Sequence, residues 1–325
     1  MGEAFYDLAS LAKPLVTAPL AHAFLDLEAD RRFFLGFHER HEQLTVCQLL
    51  CHASGLPPWL PFTGEPVAAQ LRRGVAHESH PLLRRGQVGV ATYSDLNFRL
   101  LAELLEAETG VPFMKLGASF TGLSPAPWEE APAPLPDGPD AEAWRLATDQ
   151  PLPAADPHLP QDLNARAGMR GHAGFGAKAA QLREWLVRWV PEWAPRMVSE
   201  AARSADGEIW GLGLKAAQRG SGRFAELLIR IPEGLGGIHV VEDLHRGLEE
   251  GPELGPVGDA SAWWFHLGWT GPALFFRPSD ACCVALLLKR LGPAGRMIGD
   301  RELRQHRRAV LEAWVISQRQ AGAWL

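Results

Sequence analysis

The last third of the chain sets the strongest limit on its fold. Beyond about Trp210, strand-like runs at 225–231, 263–268, 273–277 and 282–289 follow one another, punctuated by Gly, Pro and Asp. Strands in succession, rather than alternating with helices, imply an antiparallel sheet with helices packed against it. A closing helix over 301–318 carries Leu303, Val310, Leu311, Trp314 and Val315 at helical spacing. On a strand, Cys282 and Cys283 would face opposite sides of the sheet.

The preceding two thirds read as mostly helical. Leu11, Leu15, Val16, Leu20 and Phe24 predict a helix over 10–27. Pro14 is compatible with it only in the first turn, so the helix must begin at or just before Ser10. A short helix is expected at 46–51, ended by Gly55, Pro57 and Pro58. An amphipathic one follows at 96–108, stopped by Gly110 and Pro112. A helix at 177–190 places Leu182, Trp185, Leu186 and Trp189 on one face. The proline-rich stretch 125–160 reads as a long connection, and no internal repeat is visible.

Composition narrows the function classes. The 325 residues are 46% apolar and 22% charged, without an apolar run long enough to cross a membrane. With a formal charge of −6 and no basic cluster beside stacking aromatics, nucleic acid is excluded as a partner. Cys47 and Cys51, one helical turn apart, and adjacent Cys282 and Cys283 have no zinc-site spacing and read as buried free thiols. The segment before Ser10 has no basic stretch followed by a long apolar one, so the sequence as given predicts a cytoplasmic protein.

Chemistry concentrates in three places. Ser10-Leu11-Ala12-Lys13 is an S-x-x-K motif whose hydroxyl and ammonium share one helix face. At a helix start, Ser10 also meets the positive end of the dipole, which favours developing negative charge. Desolvation would help Lys13 reach the neutral form that accepts a proton. Tyr93-Ser94-Asp95 stands just before the amphipathic helix, on a turn able to aim the phenol into a cleft. His266-Leu267-Gly268 ends an apolar strand, where a glycine admits substrate close to the backbone.

These elements, in this order, resemble the serine β-lactamase and penicillin-binding protein superfamily, and within it the class C β-lactamase, D,D-carboxypeptidase and esterase branch. Asp7 to Pro14 is similar to that branch's nucleophile segment, and Tyr93-Ser94-Asp95-Leu96-Asn97-Phe98 to its second signature. Leu44-Thr45-Val46, Leu49-Leu50 and His52-Ala53-Ser54-Gly55-Leu56 match a further stretch, as does Gly171-His172-Ala173-Gly174-Phe175. His266 to Gly271 resembles the family's H-x-G-x-T-G strand and turn. The resemblance implies an α/β plus all-α, β-lactamase/transpeptidase-like fold in one domain. Its α/β part would cover about 1–27 and 205–325, its mainly helical part about 28–204, with the site between them.

The resemblance also assigns roles. Ser10 would be acylated, Lys13 and Tyr93 would share the acid and base work, and the amides of Ser10 and Trp269 would form the oxyanion hole, beside Gly268. His266 would tune the electrostatics near the leaving group, and Asp95 would pair with Lys13, orient substrate or cap the helix. No metal or organic cofactor is implied. Leu267 stands where many β-lactam-recognising members have a Thr that binds the substrate carboxylate, and Asp95 replaces an Asn. Both departures favour an esterase or amidase acting on a small-molecule ester, amide or peptide. The rivals are a β-lactamase or D,D-carboxypeptidase, which would work outside the cytoplasm, and a catalytically inactive binding or scaffold homologue.

The main departure is at the front. Only nine residues precede Ser10, where the family usually has two strands beside the C-terminal ones. The sheet is therefore expected to lack its N-terminal strands, which leaves 282–289 as an unpaired apolar edge and a route to a homo-oligomer unless a partner chain or another segment covers it or the protein is degraded and inactive. A gene start upstream of Met1 is the reading favoured, and it would allow a periplasmic or extracellular location. His38-Glu39-Arg40-His41-Glu42 is misspaced for a zincin helix and reads as a solvated loop. His172 would line the cleft or serve the Gly171–Gly174 turn, His52 would bond at a helix end, and Trp263 or Trp264 would face substrate.

Overall fold

The computed structural model describes residues 4–31, 44–72, 84–128, 139–147, 152–153, 158–217, 228, 231, 235–242, 263–290 and 298–320. Strand β1 (Phe5–Asp7) leads into one continuous helical run: a 3-10 turn (Ala9–Leu11), a π turn (Lys13–Thr17) and helix α1 (Ala18–Phe24). Pro14 occupies the first turn of the π segment, where its missing N–H costs nothing. The wider π turn leaves carbonyls to be satisfied by neighbours.

The helical half follows with α2 (Val46–Leu50), α3 (Val67–Arg72), α4 (Asp95–Thr109) and α5 (Phe113–Thr121). Strand β2 (Ser124–Pro125), helices α6 (Pro139–Ala147) and α7 (Leu163–Arg166), and strand β3 (Phe175–Lys178) come next. Helices α8 (Ala179–Glu192) and α9 (Ala194–Met197) complete this half. The remainder holds β4 (Ala202–Arg203), β5 (Ile209–Trp210), β6 (Lys215–Ala216), β7 (Ile238–Glu242), β8 (Trp264–Leu267), β9 (Ala273–Arg277), β10 (Cys282–Leu287) and α10 (Asp300–Gln320).

Among the described residues the large sheet runs β4-β5-β6-β8-β9-β10-β7, and a small sheet runs β1-β3-β2. Strand β10 divides its side chains between two cores. Cys283, Ala285 and Leu287 join the main cluster, which reaches into the helical half; Cys282, Val284 and Leu286 join a second cluster with Val310, Leu311 and Val315 of α10. The opposite facing of Cys282 and Cys283 is as the sequence predicts. No helix among the described residues is long and apolar enough to cross a membrane.

Several expectations need correction. Residues 282–287 are not an unpaired edge: β10 pairs antiparallel with β9 and parallel with β7, Cys283 opposite Ile238 through Leu287 opposite Glu242. A strand so apolar on both faces demands partners on both sides, and β7, with no alternating pattern to announce it, supplies the second. The sheet is therefore mixed, not wholly antiparallel. Helix α8 starts at Ala179, because Phe175–Lys178 pairs with β1 as a strand. The stretch 125–160 contains helix α6. Ser94, not Asp95, is the N-cap of α4. The strand expected at 225–231 and the His38–His41 segment lie almost wholly outside the described residues.

Candidate active site

The nucleophile segment is bent into place before any helix begins. Ala9 holds φ at +44°, a left-handed conformation costly for a residue with a Cβ. Asp7 stabilises it: one carboxylate oxygen accepts the Ala9 N–H at 2.8 Å and the other the Gln161 N–H at 3.0 Å. The Leu8 N–H donates to the Phe175 carbonyl at 3.0 Å. Ser10 then sits in the first helical turn, with Lys13 one turn on and fully buried.

Lys13 gathers the polar groups around it. Its Nζ lies 3.0 Å from Ser10 Oγ, 2.7 Å from the Tyr93 hydroxyl, 2.8 Å from Asp95 Oδ1 and 3.4 Å from the His172 carbonyl. The Tyr93 hydroxyl is in turn 3.1 Å from Ser10 Oγ. Burial pushes the Lys13 pKa down, but Asp95 and Tyr93 outweigh it and the net direction is up. Tyr93 is also raised, chiefly by burial, so its neutral phenol is favoured.

Residues 52–58 hold Tyr93 and Asp95 in that position. His52 Nδ1 accepts the Ser94 N–H at 3.0 Å, and its carbonyl accepts the Thr92 N–H at 2.8 Å. The Ser94 hydroxyl donates to the Pro57 carbonyl at 2.6 Å, and the Asp95 N–H to Pro58 at 2.9 Å. The His52 ring also lies 4.7 Å from that of Tyr93. Desolvation keeps this imidazole neutral.

Strand β8 brings the third element. His266 Nδ1 lies 3.1 Å from the Gly213 carbonyl, so Nδ1 carries the proton and Nε2 is the acceptor. Burial first and then Lys13 push the His266 pKa down to about 3. Its ring centre is 6.1 Å from that of Tyr93. Beyond Leu267, the chain reverses through Gly268, Trp269, Thr270 and Gly271 into β9. A Cβ on Gly268 would lie 3.2 Å from the Leu8 carbonyl, so this turn abuts the nucleophile segment. The Thr270 hydroxyl donates to the Asp7 carbonyl at 3.3 Å.

Ser10, Lys13, Tyr93, Asp95 and His266 thus converge, with Leu267, Gly268 and Trp269 beside them. His172 offers its carbonyl to Lys13 and its Nε2 to Asp162 at 2.8 Å. Burial opposes ionisation of Asp162, yet His172, the Ala165 N–H and Lys13 hold its carboxyl below the usual range. Asp95, Asp162 and His172 present ligand atoms within 4.8 Å of one another, but the Lys13 ammonium already pairs with the first. Trp263 is fully buried beneath the Arg277 guanidinium and does not face substrate. The sequence reading gave Asp7 and Asp162 no role, and placed His172 in the cleft or the Gly171–Gly174 turn without its carboxylate partner; Asp7, three residues before the serine in a segment of assigned resemblance, was the findable one.

The beta-lactamase family model matches residues 3–309. The chain belongs to that family. Among solved structures, a beta-lactamase from Sulfitobacter sp. EE-36 superposes with a TM-score of 0.54 at 17% identity, covering 97% of this chain and 84% of that one. A D-amino acid amidase from Ochrobactrum anthropi SV3, complexed with L-phenylalanine amide, gives 0.53 at 13% identity, covering 98% and 86%. A class C beta-lactamase from Rhodobacter sphaeroides gives 0.52 at 16% identity, covering 97% and 86%. At such identities the superpositions establish the beta-lactamase fold and nothing finer. A comparison with the curated proteins found no significant match.

Proposed function

We propose that this beta-lactamase family member is a serine hydrolase cleaving an ester or amide through an acyl-Ser10 intermediate. One observation carries the reading: Ser10 Oγ stands 3.0 Å from the Lys13 ammonium and 3.1 Å from the Tyr93 hydroxyl, while those two are 2.7 Å apart. A serine is a weak nucleophile until its proton has somewhere to go. Resting as ammonium and phenol, the Lys13–Tyr93 pair must first release one proton to solvent; it then takes the serine proton as Oγ attacks the carbonyl, and returns it to the leaving group. Water then attacks the acyl-serine, with the same pair serving again.

The N–H groups of Ser10 and Trp269 receive the developing oxyanion. His266, neutral and with Nε2 as an acceptor, sets the polarity on the leaving-group side. Ser10, Lys13 and His266 come from the α/β part (1–27 and 205–325), Tyr93 and Asp95 from the helical part (28–204), within one catalytic domain. Leu267 offers no hydroxyl to a substrate carboxylate, which favours a simple ester or amide over a β-lactam.

The test is intact-mass analysis after exposure to a fluorophosphonate probe, with Ser10→Ala alongside. A single adduct on the wild type, absent from the variant, is the expected result. A folded wild-type sample that takes up no probe removes the hydrolase reading.

A further inference from the structure

The turn carrying the Trp269 amide is held from behind by two buried arginines that no catalytic step requires. Arg307, on α10, is 4% exposed and lies against three of the turn's carbonyls. Its Nε donates to the Gly271 carbonyl at 2.7 Å, and its Nη2 donates to Gly268 and, at 3.3 Å, to Pro272. Arg290, just past β10, takes the other two: its Nη1 donates to the Trp269 carbonyl at 3.1 Å and its backbone N–H to Thr270 at 2.8 Å. Every carbonyl from Gly268 to Pro272 thereby accepts from one of these two residues, those of Gly268 and Pro272 also accepting the Gly271 and Gly268 N–H groups at 3.2 and 2.8 Å.

The bond to Gly268 is the informative one. A trans peptide unit is planar, with its C=O and N–H pointing in opposite directions. The unit joining Gly268 to Trp269 therefore turns its N–H away from whatever holds its carbonyl. Arg307 draws that carbonyl towards α10, and the opposite side of the turn meets Asp7 and Leu8, next to Ser10. A charge-assisted bond to the carbonyl also polarises the N–H of the same unit, making it a stronger donor. Buried Arg307 is pushed down to about 10 by desolvation and by Arg290, so it is still a cation at neutral pH.

We infer that Arg307 is a positioning residue for the oxyanion hole: through the Gly268 carbonyl it aims and polarises the Trp269 N–H. Arg290 supports it by fixing the following peptide. The inference rests on the acyl-serine reading and locates the control of that chemistry on the C-terminal helix, far from the nucleophile in sequence.

Fluorophosphonate labelling measured as kinact and KI separates the possibilities. In this reaction Ser10 Oγ bonds to phosphorus, fluoride leaves, the serine proton passes to the Lys13–Tyr93 pair once that pair has released one proton to solvent, and the phosphoryl oxygen occupies the oxyanion hole. Deleting one oxyanion donor costs about 100- to 1,000-fold, so partial misaiming in Arg307→Gln should lower kinact about 10- to 100-fold with KI nearly unchanged. Arg307→Lys, which keeps a cation able to reach one carbonyl, should recover part of the loss.

Arg277→Gln is the stability control. Arg277 is equally buried but bonds the Ile231 carbonyl and Asp280, about 13 Å along β9 from the turn. It should lower Tm and leave kinact near wild type. Unchanged kinact in Arg307→Gln overturns the inference, as does a fall in kinact that both arginine variants share in proportion to their Tm. A wild type that takes no label overturns the hydrolase reading and this inference together.

Discussion

Lys13 keeps its charge in a place where burial alone would remove it, and Asp95 is the main reason. Asp95→Asn retains an acceptor oxygen but deletes the negative charge. The Lys13 pKa should then fall, because an ammonium in a dry site loses its principal counter-charge. The labelling limb that reports Lys13 deprotonation should accordingly move to lower pH in this variant; a limb that stays put would mean Asp95 does not hold the charge. At this scale the sequence was most informative where the chemistry fixes a spacing. Ser10 and Lys13 must be one turn apart, and Tyr93 must precede a helix, so both were legible. Asp7 was not, because its work is to accept two backbone N–H groups, one of them 154 residues away. The His52 cradle was glimpsed only as a helix-end hydrogen bond.

Between elements, α8 is tied to the nucleophile segment through two indoles. The Trp189 and Trp185 indoles donate to the Pro14 and Leu15 carbonyls at 2.8 and 2.9 Å, closing bonds that the π turn opens. Trp189→Phe preserves most of the apolar volume but strands a buried carbonyl, which should cost about 1–3 kcal/mol. Denaturant unfolding would check this, and a cost below about 0.5 kcal/mol would mean the carbonyl finds another partner. Helical spacing revealed the face of α8 but not its purpose: Trp185 and Trp189 read simply as core. Strong periodic elements such as α4, β9 and α10 lie close to where the sequence put them. Strand β7 escaped because its place in the sheet is set by the hunger of β10 for a second partner, a long-range fact. The three-residue β1 escaped because so short a run has no measurable period.

For the molecule as a whole, buried titratable groups compete as the pH falls. Asp7 is raised to about 6 by burial, so its folded form prefers the proton. Its contribution is fully present below the unfolded value of 3.8 and is lost as pH rises through 6. His266 acts in the other direction. With its pKa depressed to about 3, it contributes stability present above 6.5 that is lost as pH falls towards 3. Between pH 6 and 4, at about 1.36 kcal/mol per unit, each moves stability by roughly 3 kcal/mol with opposite sign. His52 and His22, both also depressed chiefly by burial, tip the balance. The Tm should therefore fall as the solution is taken from pH 6.5 to 4. In Asp7→Asn the fall should be steeper, because the opposing contribution is gone; equal slopes for the two proteins would show Asp7 titrating normally.

The hydrogen bond from Thr270 to Asp7 joins positions 263 residues apart. On the ribosome, at about 5–20 residues per second, roughly 15–50 s separate the emergence of these two partners. The nucleophile segment is thus made well before the turn that completes it. Ser10 and Lys13 can meet as soon as they emerge, but their oxyanion turn and the helix bracing it follow more than 250 residues later. A nascent or C-terminally clipped chain would carry the reactive serine without the means to use it.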